Sequence, residues 1–227
     1  MKSGILFGAM AGASWGLVFL PPALLPSFSP LLLTCGRFLA YGILALMLLV
    51  PLYSRIKSKW QWQDLAGLLR LSLSSNIVYF LLLAGAVQRI GIAATSLIIG
   101  LLPLTITLLG RSEHNAPPLK RLFWPLLAVV AGMGCVNMEA LSQAENAATD
   151  WLNPVLGLLM AFGGLASWSW YAKDNARCLE QTRFDSNEWS LLVGLVTGLI
   201  AAGIWAIASI VSPTSVTPAA DADWTLF

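Results

Sequence analysis

Charge is what this sequence has least of. Asp, Glu, Lys and Arg together make up 11% of its 227 residues, whereas 57% are hydrophobic and the mean hydropathy is +0.75. A soluble domain of this length would have too few polar side chains to cover its surface, so lipid must cover it. A net charge of +2 offers no bulk attraction to nucleic acid. Histidine occurs once, as His114, in a polar connection beside Glu113 and Asn115, where it is simply solvated. Cys35, Cys135 and Cys178 lack metal-ligand spacing and are odd in number, so they read as small apolar fillers. No metal or cofactor is expected.

What is abundant is long apolar sequence. Seven runs approach the roughly 20 residues that a helix needs to cross the hydrocarbon core. They cover residues 5–25, 30–53, 66–86, 90–109, 122–138, 152–172 and 189–211. Closed β-barrels would instead require segments alternating in polarity, and residues 43–50 do not alternate. The expected fold is therefore an all-α, multi-pass helical bundle in a bilayer. The first run could pass for a signal peptide after Met1 and Lys2, but its length and Pro21, Pro22 and Pro26 argue against that.

The positive charges set an orientation. With the N-terminus in the cytoplasm, the inner segments hold Lys2, Arg55, Lys57, Lys59, Arg111, Lys120, Arg121, Lys173, Arg177 and Arg183. Of the remaining three, Arg89 falls outside, and Arg37 and Arg70 lie within spans. The positive-inside rule then predicts a cytoplasmic N-terminus. Trp60, Trp62, Trp124, Trp151, Trp189 and Trp224 fall near span ends, where indoles favour the headgroup region.

An internal similarity organises the chain. Residues 4–15 (GILFGAMAGASW) align without gaps on 157–168 (GLLMAFGGLASW), matching Ala13, Ser14 and Trp15 to Ala166, Ser167 and Trp168. Five spans separate the two starting points, so the copies run in opposite directions. Inverted repeats are a recurrent architecture of secondary transporters, with substrate held between the halves, although duplication kept only for packing would leave the same trace. The first unit is expected over residues 1–142 and an incomplete second over 152–227, as in a truncated chain.

At these residues the sequence resembles the EamA family of the drug/metabolite transporter superfamily. The resemblance rests on the Gly-rich opening helix with Ala13 to Gly16, and on Pro30 followed by Arg37 and Phe38. It continues through 75–86 (SNIVYFLLLAGA) and through 93–109, where small residues precede Pro103. What it implies is two five-helix repeats, a bacterial cytoplasmic (inner) membrane location and export of amino acids or related metabolites. Only the opening helix of the second repeat, 157–171, finds a match beyond the first.

Several residues are candidates for a site. Arg37 lies about 10 Å inside the second span. It either faces a wet cavity and attracts an anionic group, with Tyr41 one turn deeper, or snorkels outward to bond carbonyls. Arg70, near the inner end of its span, reads as a snorkelling anchor. Ser72, Asn76 and Tyr79 form a polar stripe that either lines a path or joins helices. Pro103 removes a backbone bond in mid-span and is a candidate hinge, or an ordinary packed proline. Trp15 and Trp168 are equivalent under the repeat and could flank a central cavity or pack.

These features favour a secondary transporter of small polar metabolites, such as amino acids, over an enzyme. Ser14, Ser75 and Ser167 have no intramembrane base to activate them, so no catalytic residue is expected. A retinal protein is excluded because residues 189–211 contain no lysine. A non-transporting receptor, an assembly subunit or an inactive truncated transporter would share the same composition. A homodimer is a further expectation, since two copies could together supply an incomplete second repeat.

Overall fold

A computed structural model describes residues 2–110, 123–124, 127, 131 and 152–216, the side chains of residues 2, 3 and 5 excepted. The expected span at 122–138 thus lies outside the described residues apart from isolated positions. The described residues contain helices and turns and no strand. Helices pair most of their backbone groups internally, as a bilayer requires. Five helical stretches are long and apolar enough to cross a membrane: Leu6–Leu24, Pro30–Lys59, Trp62–Ile99, Leu152–Gln181 and Ser186–Val211. The protein is a multi-pass helical membrane protein.

Proline and capping residues set the breaks. α1 (Lys2–Gly16) passes through a 3-10 turn at Leu17–Phe19 into α2 (Leu20–Leu24). Pro21 and Pro22 occupy the first positions of α2, where the missing N–H groups cost nothing. The Ser29 side chain accepts from the Leu32 N–H at 3.0 Å and starts α3 (Pro30–Leu49). A 3-10 turn containing Pro51 joins α3 to α4 (Tyr53–Lys59). A reciprocal cap between Gln61 and Asp64 opens α5 (Trp62–Leu71).

After α5 the helix widens into a π-helical segment, Ser72–Val78, and narrows again into α6 (Tyr79–Ile99). Unbroken, residues 62–99 would reach about 57 Å, too long for one crossing. The chain instead reverses at Gly91, whose φ of 80° is the left-handed value that glycine tolerates. The neighbours of α8 (Leu152–Gln181) demonstrate the reversal. Ile90, Met160's partner Gly85, and Arg70 meet Gly157, Met160 and Asp174, so numbers fall in one helix as they rise in the other. Beyond Gly91 they rise together: Ile99 meets Gly164, Thr105 meets Ser169 and Lys173 reaches Leu109.

A second break follows at Gly100 and Leu101, before α7 (Leu102–Gly110). Pro103 sits in the first turn of α7, where its missing N–H leaves no hydrogen bond within α7 unmade. The sequence pattern placed a kinked helix here; the backbone divides it into two.

α3 and α9 (Ser186–Val211) pack antiparallel in the most intimate contact of the bundle. A Cβ added at Gly42 would lie 2.6 Å from the Gly198 Cα, and one added at Gly198 would lie 2.5 Å from the Gly42 Cα. Backbones approach this closely only where both residues are small. The adjacent Gly194 receives the Tyr41 ring, which a larger residue would displace.

α8 runs about two turns beyond the expected end at residue 172. This extension carries Asp174, which changes the reading of Arg70. Arg70 does not snorkel alone: Nε and Nη2 donate to the two Asp174 carboxylate oxygens at 2.7 and 3.0 Å. Trp189, expected at an interface, is 2% exposed and packs among Leu68, Leu71 and Phe184. Asp185 and Glu188 cap α9 reciprocally, a D-x-x-E signature that places the helix start at Ser186 rather than 189.

Candidate functional site

Arg37 and Tyr41 are one turn apart on α3 and face the same way. They open onto a cavity of about 520 Å³, a size suited to a small organic solute. Asn76 of the π segment, Trp168 and Tyr171 of α8, and Trp189 of α9 complete its walls. Four candidates from the sequence therefore share one cavity: Arg37, Tyr41, Asn76 and Trp168.

The polar groups around the cavity are held from behind. Tyr41 donates its hydroxyl to the Ser190 carbonyl at 3.0 Å. Asn76 Nδ2 donates to Thr197 Oγ1 at 2.8 Å, which leaves its carbonyl oxygen available. Trp189 Nε1 donates to Asn175 Oδ1 at 3.0 Å. The π segment is fixed on both sides, by Ser72 Oγ donating to the Val193 carbonyl and by Ser167 Oγ donating to the Ser74 carbonyl. Stripe residues thus join helices and, at Asn76, also reach the cavity. A π bulge is what allows this, since one extra residue per turn rotates the side chains that follow it.

Arg37 is differently situated. Its guanidinium lies 4.8 Å from the centroid of the Phe80 ring and 5.7 Å from that of Phe38. No hydrogen bond or ion pair holds it among the described residues. Cation–π contact compensates part of the desolvation of a guanidinium and leaves its N–H edges available to an anion. The described carboxylates, Asp64, Asp174, Glu180, Asp185 and Glu188, do not line the cavity.

Tyr79 and Trp15 stand behind the wall. The Tyr79 ring lies 4.7 Å from Trp168, and the Trp15 ring lies 5.4 Å from Trp168. Tyr79 is 3% exposed, and its hydroxyl makes no hydrogen bond among the described residues, Trp15 approaching it outside bonding geometry. Pro103 is elsewhere, lining a separate hollow with Trp15, Gly12 and Ser96.

Tyr171, Trp189, Asn175 and Ser190 also line the cavity, and sequence reasoning missed them. Tyr171 was within reach, because it follows Trp168 by three residues and so shares its face. Asn175 was hidden by ending the helix too early. Trp189 was hidden by the general preference of tryptophan for interfaces.

Comparison with known proteins agrees with this architecture. Over 186 residues the chain is 32% identical to the inner membrane protein YtfF of Escherichia coli (strain K12). That alignment covers 80% of this chain and 57% of YtfF, so the chain spans little more than half the length of this curated relative. No solved structure matches it. Residues 2–138 match the EamA-like transporter family, and the chain belongs to that family.

Proposed function

We propose that this chain is part of a secondary transporter of small polar metabolites, amino acids among them, in a bacterial inner membrane. The observation that carries the reading is the cavity beside Arg37, which offers an unpaired cation to a solute at membrane depth. Family membership supports transport over catalysis, and the name of the E. coli relative supports the inner membrane.

The reading extends to the fold. Residues 1–142 form a first repeat of five helices and 152–227 belong to a second, inverted one, giving seven crossings with the N-terminus in the cytoplasm. The repeat-equivalent Trp15 and Trp168 touch each other, and α3 and α9 pair antiparallel, as expected of inverted copies related by an axis in the membrane plane. Arg37, Tyr41, Asn76 and Trp168 contact the solute, Tyr79 and Trp15 support Trp168, and Pro103 marks a hinge beside α1. Further helices, from a longer chain or a second copy, complete the path.

Counterflow of radiolabelled carboxylic and amino acids into proteoliposomes tests this. Exchange is expected with the intact protein, extended through a full second repeat or assembled as a dimer, and its loss is expected in Arg37→Ala. Absence of exchange in every form would remove the transport reading.

A further inference from the structure

Resting on that reading, we infer that the cavity selects a net anion with a flat apolar end, an arylalkyl carboxylate, over a zwitterionic amino acid. Three observations converge on this selectivity. The first is charge. Among the described residues lining the cavity, Arg37 supplies the only formal charge. A carboxylate would gain charge-assisted hydrogen bonds from its available N–H edges. An α-ammonium one carbon away would face the same guanidinium as a like charge, and would be desolvated without a carboxylate partner.

The second is the nature of the walls. Trp168, Tyr171, Tyr41 and Trp189 present rings, and Trp168 and Tyr171 are 5.0 Å apart at an interplanar angle of 48°. Such rings suit edge or offset stacking on a flat apolar body. Arg37 also borders a second hollow of about 510 Å³ walled by Leu17, Leu20, Leu24 and Leu33. Among the described residues, neither hollow has a carboxylate in its lining.

The third is where the negative charge of the bundle has gone. Asp64, Asp174, Asp185 and Glu188 are committed to Thr182, Arg70, Arg55 and Lys59, all remote in sequence from Arg37. None of these four is free for an ammonium group, and the fifth described carboxylate, Glu180, sits on the extension of α8 outside the cavity lining. Cation–π contact with the Trp168 and Tyr171 faces is what remains for an ammonium group, and it would be made in the field of the Arg37 guanidinium.

The test compares molecules that differ in one group. Calorimetric titration of the intact protein in nanodiscs with 3-phenylpropionate, phenylalanine and phenethylamine separates the contributions of carboxylate and ammonium. 3-Phenylpropionate is expected to bind at least about tenfold more tightly than phenylalanine, with phenethylamine weaker still. Arg37→Gln should erase the preference and Arg37→Lys should restore part of it, with helical content measured in each variant. Equal or tighter binding of phenylalanine would overturn the selectivity and leave the cavity as an amino-acid site. Binding of none of the three to folded protein would remove the cavity as a ligand site, and with it the selectivity; counterflow reports transport independently.

Discussion

The two ends of α3 treat charge in opposite ways. At its far end, continued by α4, every described cation that meets α9 finds a carboxylate. Lys59 Nζ lies 2.5 Å from one Glu188 oxygen, and Arg55 Nε lies 2.6 Å from the other as an ion pair outside hydrogen-bonding geometry. Arg55 also reaches Asp185 at 3.0 Å. Seven residues into α3, Arg37 has only aromatic rings. Charges that hold helices together come in closed groups, because an unpartnered buried charge is costly. A cation left open beside a cavity implies that its partner arrives from outside.

Removing partners should therefore have opposite signatures at the two places. Replacing both Arg55 and Lys59 by methionine strands Glu188, which is 2% exposed, and is expected to cost about 3–5 kcal/mol. Unfolding by denaturant in mixed micelles reads this directly. Arg37→Ala should leave the same unfolding curve within about 0.5 kcal/mol while abolishing exchange. A large loss of stability in Arg37→Ala would mean that the guanidinium is a structural tie.

The next effect concerns the contact that holds both regions in register. Gly198→Leu forces a side chain against the Gly42 backbone, which cannot move aside as a flexible side chain can. A destabilisation of about 1–3 kcal/mol is expected, together with weakened ligand binding, since the cavity residue Tyr41 packs on Gly194, one turn from the same crossing. Unchanged stability would show that α3 and α9 can separate without affecting the cavity. Arg70→Met should cost less, about 1 kcal/mol, because Arg70 is half exposed although Asp174 is largely covered.

The same contrast explains what could be read from sequence. Hydropathy located the long helices because it depends only on local composition, and Arg37 stood out because a charge inside an apolar run needs no neighbour to be noticed. Asn76 and Trp168 followed from periodicity and from the repeat. What escaped was non-local. Asp174 and Glu188 lie just beyond apolar runs, so a hydropathy boundary assigned Asp174 to a loop when a helical extension brings it to Arg70. The π segment has no sequence signature that separates it from ordinary helix, yet it sets which way Asn76 points. Gly91 was one glycine among 19 until its φ of 80° showed why the chain reverses there.

The smallest expected effect is one of pH at the paired end. Asp185 is exposed, and its carboxylate is held below the usual range, first by the backbone N–H of Glu188 and also by the Arg55 charge. A depressed folded-state pKa means that the charged form is favoured by folding. The stabilisation is then fully present above the unfolded value of about 3.9 and is lost as pH falls through the lower folded value. Midpoints for the intact protein should decline across that acid window, and Asp185→Asn should decline less, starting from a slightly lower value at neutral pH. Asp185 accepts the cap bond as well as the ion pair, so raising salt should leave most of the difference in place. If salt removed it entirely, the Arg55 pair rather than the helix cap would be what Asp185 contributes.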